Sequence, residues 1–210
     1  MDNYKELLAE LKKAYPDAKP ALNFKNAYEL LVATILSAQC TDVRVNKVTS
    51  ELFKKYPDAE ALSKCDLSEL EQIIHSCGCY KIKAKNLKNA AADIVNKFSG
   101  QVPKTMEELT TLPGCGRKTA NVVMSNAFKI PAIAVDTHVF RVSNRLGLAT
   151  ATDVLKTEEQ LRKNIPREDW SDAHHWLIYH GRQVCSARNP KCDICTLKAY
   201  CRYYKGKDNK

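Results

Sequence analysis

The chain has 210 residues, 44% hydrophobic and 27% charged, with 33 Lys plus Arg against 24 Asp plus Glu, a net charge of +9. That balance fits a folded water-soluble protein; it excludes a disordered or fibrous chain, and no apolar run approaches the ~20 residues of a membrane-spanning helix. The cationic excess predicts a polyanionic partner: nucleic acid, not an anionic membrane, because no strongly basic amphipathic helix stands out.

In chain order, helix follows helix. Met1-Asp2-Asn3-Tyr4 opens a charged helix, not an export signal. Residues 4–14 place Leu7, Leu8 and Leu11 on one side, and Pro16 and Pro20 mark the following linker. Asn26 and Glu29 have capping-box spacing, and the body from Leu30 to Leu36 is apolar nearly all round, as in a fully buried helix. Residues 37–42 break it. Asp42 is the expected cap of a helix carrying Val45, Val48, Leu52 and Phe53, and Asp58 and Asp66 start two short helices. A loop at 75–80 leads into a long basic helix from about Lys81 to Phe98, ended by Ser99-Gly100. Thr105 with Glu108 caps another.

That helix runs into Leu112-Pro113-Gly114-Cys115-Gly116-Arg117-Lys118-Thr119-Ala120-Asn121. Pro113 cannot continue a helix, while Gly114 and Gly116 permit positive φ and leave the backbone bare. The helix that begins at Arg117 points its unpaired N–H groups and positive dipole end at the turn, which makes a seat for phosphate. The plainer alternative is a Gly-rich turn with exposed charges. On a helical wheel Ala120, Val123, Met124 and Ala127 form an apolar stripe, and Lys118 lies opposite, near Asn121, Val122 and Ser125. Lys118 is therefore either a solvated side chain or a nucleophile facing a cleft.

Past Pro131 the chain enters a helix from Thr137 to Leu146, with Gly147 at its end and Asp136 at its N-cap. Capping fixes one carboxylate oxygen and leaves the other for acid–base or electrostatic work. Thr157 with Gln160 is the expected cap of a further helix. The last long helix, from Trp170 to about Val184, carries His174, His175 and His180, read as packing or capping groups.

Cys185, Cys192, Cys195 and Cys201 follow at C-x6-C-x2-C-x5-C spacing. Four thiolates suit a zinc ion or an iron–sulfur cluster equally. Without an export signal a disulfide pair is disfavoured, and Cys40, Cys65, Cys77, Cys79 and Cys115 are read as free. The cysteine loop also carries Arg182, Arg188, Lys191, Lys198 and Arg202, the cations of a phosphate-binding surface.

Taken together, Ser37-Ala38-Gln39-Cys40-Thr41-Asp42, the hairpin from Leu112 to Val123, Val135-Asp136-Thr137-His138-Val139-Phe140-Arg141-Val142, His174-His175-Trp176-Leu177-Ile178 with His180-Gly181-Arg182, and the cysteine spacing resemble the endonuclease III family of DNA glycosylases, in the helix–hairpin–helix superfamily. The resemblance runs over nearly the whole chain. It implies an all-α fold of two helical domains flanking a DNA-binding cleft: a six-helix barrel with the helix–hairpin–helix at 20–130, and a [4Fe–4S] cluster domain made of 1–19 plus 131–210.

It also implies a bifunctional glycosylase and abasic-site lyase of base excision repair. Lys118 attacks C1′ of a flipped-out oxidised pyrimidine, Asp136 assists, and a Schiff base leads to β-elimination on the 3′ side. The four cysteines hold the cluster. Gln39 and the Cys79 loop tip fill the vacated space; many members carry leucine at the latter position, where this chain has a small thiol, and Tyr80 is the neighbouring candidate to share the role. Gly114, Gly116, Arg117, His138, Arg188 and Lys191 face DNA. Asn189 departs from a lysine frequent in relatives, with Arg188 and Lys191 as compensation. The implied partner is double-stranded DNA with damaged bases or abasic sites, bound by a monomer in a bacterial or archaeal cytoplasm, at the nucleoid and away from membranes.

Two rivals stand beside this. Adenine-DNA glycosylase shares the cysteine spacing but lacks the lysine and has a further C-terminal domain. A non-catalytic helix–hairpin–helix module with a structural metal would share the charge and the hairpin, and the cluster itself could be a staple or a redox group.

Overall fold

The computed structural model describes residues 3–206, so Met1 and Asp2, the opening of the expected first helix, lie outside the described residues. All regular structure among the described residues is helical, and no described helix is long and apolar enough to cross a membrane. The chain divides into two compact units, Pro20–Ile130 and the pair Met1–Lys19 with Pro131–Lys210.

The first unit is built round α2 (Ala27–Ser37), buried continuously from Tyr28 to Leu36. Packed against it are α3 (Asp42–Lys55), α6 (Tyr80–Phe98) and α8 (Arg117–Ala127); α4 (Ala59–Ser63) and α5 (Leu67–Ile74) rest on α6, and α7 (Met106–Leu109) on α8. Local capping accounts for most of these starts. Asn26 accepts from the Glu29 N–H at 2.9 Å, Asp58 from Ala61 at 2.8 Å and Asp66 from Glu69 at 2.9 Å. The reciprocal arm of the first box reaches one residue further back, Glu29 Oε2 accepting from the Lys25 N–H at 2.6 Å. One expected cap moves: Thr41, not Asp42, caps α3, accepting from the Arg44 N–H. Both side chains can cap, and Asp42 in the first turn still meets the helix dipole favourably.

In the second unit α1 (Tyr4–Ala14) lays Leu7, Leu8 and Leu11 into a core with Val139, Val142, Trp176 and Leu177. There α9 (Thr137–Leu146) packs on α10 (Val154–Asn164), α11 (Trp170–Gln183) and the short α12 (Arg202–Lys205). Gly147 ends α9 at φ +91°. The cap of α10 is Asp153, accepting from the Lys156 N–H at 2.8 Å, and not Thr157. Thr157 is buried one turn inside and donates to the Asp153 carbonyl at 2.8 Å, while Gln160 accepts from the Thr150 N–H at 2.7 Å.

Candidate active site and cysteine centre

The turn between α7 and α8 is anchored by Leu112 and Cys115, both buried; burial pushes the Cys115 thiol up to about 12, so it is inert. The two glycines do different work. Gly114 has φ +81°, and a Cβ there would meet Asn86 Cβ at 3.2 Å and Ile35 Cγ2 at 3.3 Å. Gly116, expected to share that freedom, is extended at φ −82°, ψ 177°, and a Cβ there would meet nothing within 4 Å. The first glycine is thus required by the fold, while the second leaves bare backbone at the start of α8. Gly114→Ala is expected to lose about 1–2 kcal/mol in a thermal melt. Gly116→Ala is expected to melt like the parent and bind duplex DNA more weakly in a titration.

Lys118, in the first turn of α8, is exposed, as is Arg117. The apolar stripe packs inward through Ala120 and Val123. Asn121 and Ser125, expected on the open side with Lys118, are instead 4% and 5% exposed. Ser125 satisfies its hydroxyl by donating to the Val122 carbonyl at 3.2 Å, so a polar helix face is buried without an orphaned group. Only the first turn of that face stays open.

Asp136 lies in the other unit, at the end of an irregular segment in which Ala132, Ile133, Ala134 and Val135 are all buried. Buried irregular backbone needs partners, and His174 Nδ1–H donates to the Ala134 carbonyl at 2.8 Å. Asp136 Oδ1 accepts the Val139 N–H at 2.8 Å, which fixes the carboxylate at the head of α9. Two residues on, His138 Nδ1 accepts from Arg141 Nη2 at 3.2 Å. Arg141 also donates to the carbonyls of Gly181 at 3.0 Å and Cys185 at 3.1 Å. A Cβ on Gly181 would lie 3.1 Å from His138 Nδ1.

Burial, seconded by Arg141 and Arg182 and opposed by Asp136, lowers the His138 pKa. The unfolded chain titrates this group near 6.5 and takes up its proton first as the pH falls. The contribution is therefore complete above pH ~6.5 and is lost as the pH drops from there through the folded value. The urea midpoint is expected to fall between pH ~7.5 and ~5.5, and to fall less in His138→Gln.

Back in the first unit, Gln39 and Cys79 are both exposed, and both are non-glycine residues in the left-handed region, at φ 54° and φ 57°. Their loops adjoin: a Cβ on Gly78 would lie 3.5 Å from the Gln39 carbonyl oxygen, and the Cys77 thiol is hydrogen-bonded with Cys40. Tyr80 is half-buried, its ring 4.6 Å from that of His75. Lys83, only 5% exposed, donates to the carbonyls of Leu36 at 2.8 Å and Ala38 at 2.7 Å. It thereby closes the C-terminus of α2 and fixes the strained loop that carries Gln39.

Cys185 and Cys201 are buried, Cys192 and Cys195 partly so, and none is in a disulfide. Burial raises the pKa of Cys195 and Cys201, and Cys185 and Cys192 lie near enough to both to add to the rise. Four buried or half-buried thiols at this spacing, none in a disulfide, fit a [4Fe–4S] cluster as well as a zinc ion. Arg145 organises the loop, donating from Nη1 to Cys185 Sγ at 3.4 Å and to the Ser186 carbonyl at 2.7 Å, and from Nη2 to the Ala187 carbonyl at 3.0 Å. Arg188 and Lys191 are exposed on that loop. Asn189 has φ 51°, a conformation asparagine tolerates better than lysine.

Residues 32–167 match the HhH-GPD superfamily of base excision DNA repair proteins, and residues 185–201 match the iron–sulfur binding domain of endonuclease III. The endonuclease III of a Synechocystis strain is 55% identical over 93% of this chain and 90% of its own. The chain belongs to the endonuclease III family. The Bacillus subtilis endonuclease III is 48% identical over 97% of this chain and 93% of its own. A solved structure of a trapped endonuclease III–DNA covalent intermediate superposes with a TM-score of 0.92 at 48% identity, covering 98% of this chain and 97% of that one. The iron–sulfur match, with the fit of the four thiols, makes [4Fe–4S] the cofactor of this endonuclease III family member.

Sequence reasoning missed Lys83, Arg145 and Tyr15. Lys83 was within reach, because it stands on the face of α6 shared by Ala84, Leu87, Ala90 and Ile94, where a cation needs a specific partner. Nothing local marked Arg145 or Tyr15.

Proposed function

We propose that this chain is a bifunctional DNA N-glycosylase and abasic-site lyase that removes oxidised or ring-saturated pyrimidines and cuts the strand 3′ to the lesion. The observation that carries this reading is Lys118, exposed in the first turn of α8 behind the Gly114 turn, in a chain 48% identical to the protein of the covalent DNA intermediate. Its amine forms the Nζ–C1′ bond as the glycosidic bond breaks and the base departs with a proton. The sugar ring then opens to the Schiff base, and loss of a C2′ proton expels the 3′ phosphate. An amine nucleophile permits this second step; a water nucleophile does not. The Asp136 carboxylate, held by its cap bond, stabilises the positive charge that builds on the sugar.

Bare backbone at Gly116 and the Arg117 guanidinium seat a phosphate at the α8 N-terminus. Gln39 and Cys79 fill the space left by the extruded nucleotide, and His138 supports the site beside Asp136. Cys185, Cys192, Cys195 and Cys201 hold the cluster, which supplies a rigid staple for the loop presenting Arg188 and Lys191. The protein acts as a monomer on duplex DNA in a bacterial or archaeal cytoplasm, a reading supported by its bacterial relatives.

Incubation with a duplex carrying thymine glycol tests this. Expected products are the free base, a 3′ unsaturated aldehyde and a 5′ phosphate; binding of damaged and undamaged duplex alike with no base released would favour the non-catalytic module. Arg188→Ala and Lys191→Ala are each expected to flatten the log–log dependence of duplex binding on salt by about 0.9.

A further inference from the structure

Behind the cysteine loop runs a chain of three side chains from three distant parts of the sequence. Tyr15 Oη lies 2.9 Å from His180 Nδ1, and His180 Nε2 lies 3.7 Å from Cys195 Sγ. Tyr15 is 9% exposed and His180 2%. The ring of Tyr15 meets that of His180 edge-on at 5.9 Å and that of Tyr179 at 6.2 Å.

The direction of the hydrogen bonds follows from the proton count. A cysteine that ligates iron is a thiolate and has no proton to give. Were Nδ1–H to donate to Tyr15, the bare lone pair of Nε2 would face a negative sulfur. For the neutral ring that this depth of burial favours, the one arrangement in which both contacts attract has the Tyr15 hydroxyl donating to Nδ1 and Nε2–H donating to Sγ. We infer that Tyr15 and His180 form an ordered relay that gives Cys195 an N–H···S hydrogen bond and thereby raises the reduction potential of the cluster and slows its loss. The inference rests on the reading of Cys195 as a cluster ligand. An N–H donor on a ligating sulfur favours the more negative, reduced cluster, and partners of this kind change metal retention by about 10–100-fold when removed.

The test uses the holoprotein, in wild type, His180→Met, His180→Gln and Tyr15→Phe. Two quantities are measured: the cluster potential at an electrode, and the rate at which visible absorbance bleaches under excess iron chelator. His180→Met is expected to shift the potential negative and bleach about tenfold faster. His180→Gln, whose amide can still donate, is expected to recover most of both, and Tyr15→Phe, which only frees Nδ1, to fall between. A wild-type potential and bleaching rate in His180→Met would overturn the relay. If that variant does not fold, Tyr15→Phe decides, and an unchanged potential there overturns it as well. A wild type purified with zinc and without iron would instead overturn the ligand reading beneath it.

Discussion

Asp136→Asn is expected to slow base release by about a hundredfold or more while melting close to the parent. Asparagine caps helices as well as aspartate does, so its side-chain oxygen can still accept the Val139 N–H that Asp136 Oδ1 now takes at 2.8 Å. What disappears is the negative charge. Asp136→Ala would confuse the two effects, because it also removes the cap and about 1 kcal/mol with it. Single-turnover base release and a thermal melt on the same preparation separate them. Parent-like base release in Asp136→Asn would leave the residue a cap and nothing more.

The second large effect is Lys118→Gln, expected to reduce strand scission by about a thousandfold or more. The side chain is exposed, so the change should leave the melting temperature alone. Duplex binding should persist too, since the Gly114 turn, Arg117 and the cations of the cysteine loop are untouched. Persistence of binding with loss of scission separates a nucleophile from a phosphate-binding cation, which would weaken both together.

What could be read in the sequence was what neighbouring residues decide between themselves. The caps at Asp58, Asp66 and Asp136 and the left-handed stop at Gly147 are local, and they stand where the residue types put them. The starts of α3 and α10 went astray because two capping residues compete at each, Thr41 against Asp42 and Asp153 against Thr157, and packing chooses between them. The wheel placed Asn121 and Ser125 beside Lys118 in the open, yet both are buried, because a wheel registers polarity and not the hydrogen bonds a polar side chain can make at home.

The largest omissions are contacts across long stretches of chain. Lys83 bonds carbonyls 45 and 47 residues away, Arg145 grips a loop some 40 residues on, and Tyr15 meets His180 across 165 residues. No local pattern encodes such pairs. The cysteine spacing announced a metal centre but left zinc and iron–sulfur level, since four thiolates serve both; the family match separates them.

Borohydride trapping on a thymine-glycol duplex, with wild type and Lys118→Gln side by side, tests the central claim most directly. The expected result is a covalent protein–DNA band for wild type alone, with the adduct mapped by mass spectrometry to Lys118. Base release by wild type with no trapped band, or equal trapping by Lys118→Gln, would contradict the assignment of Lys118 as the nucleophile.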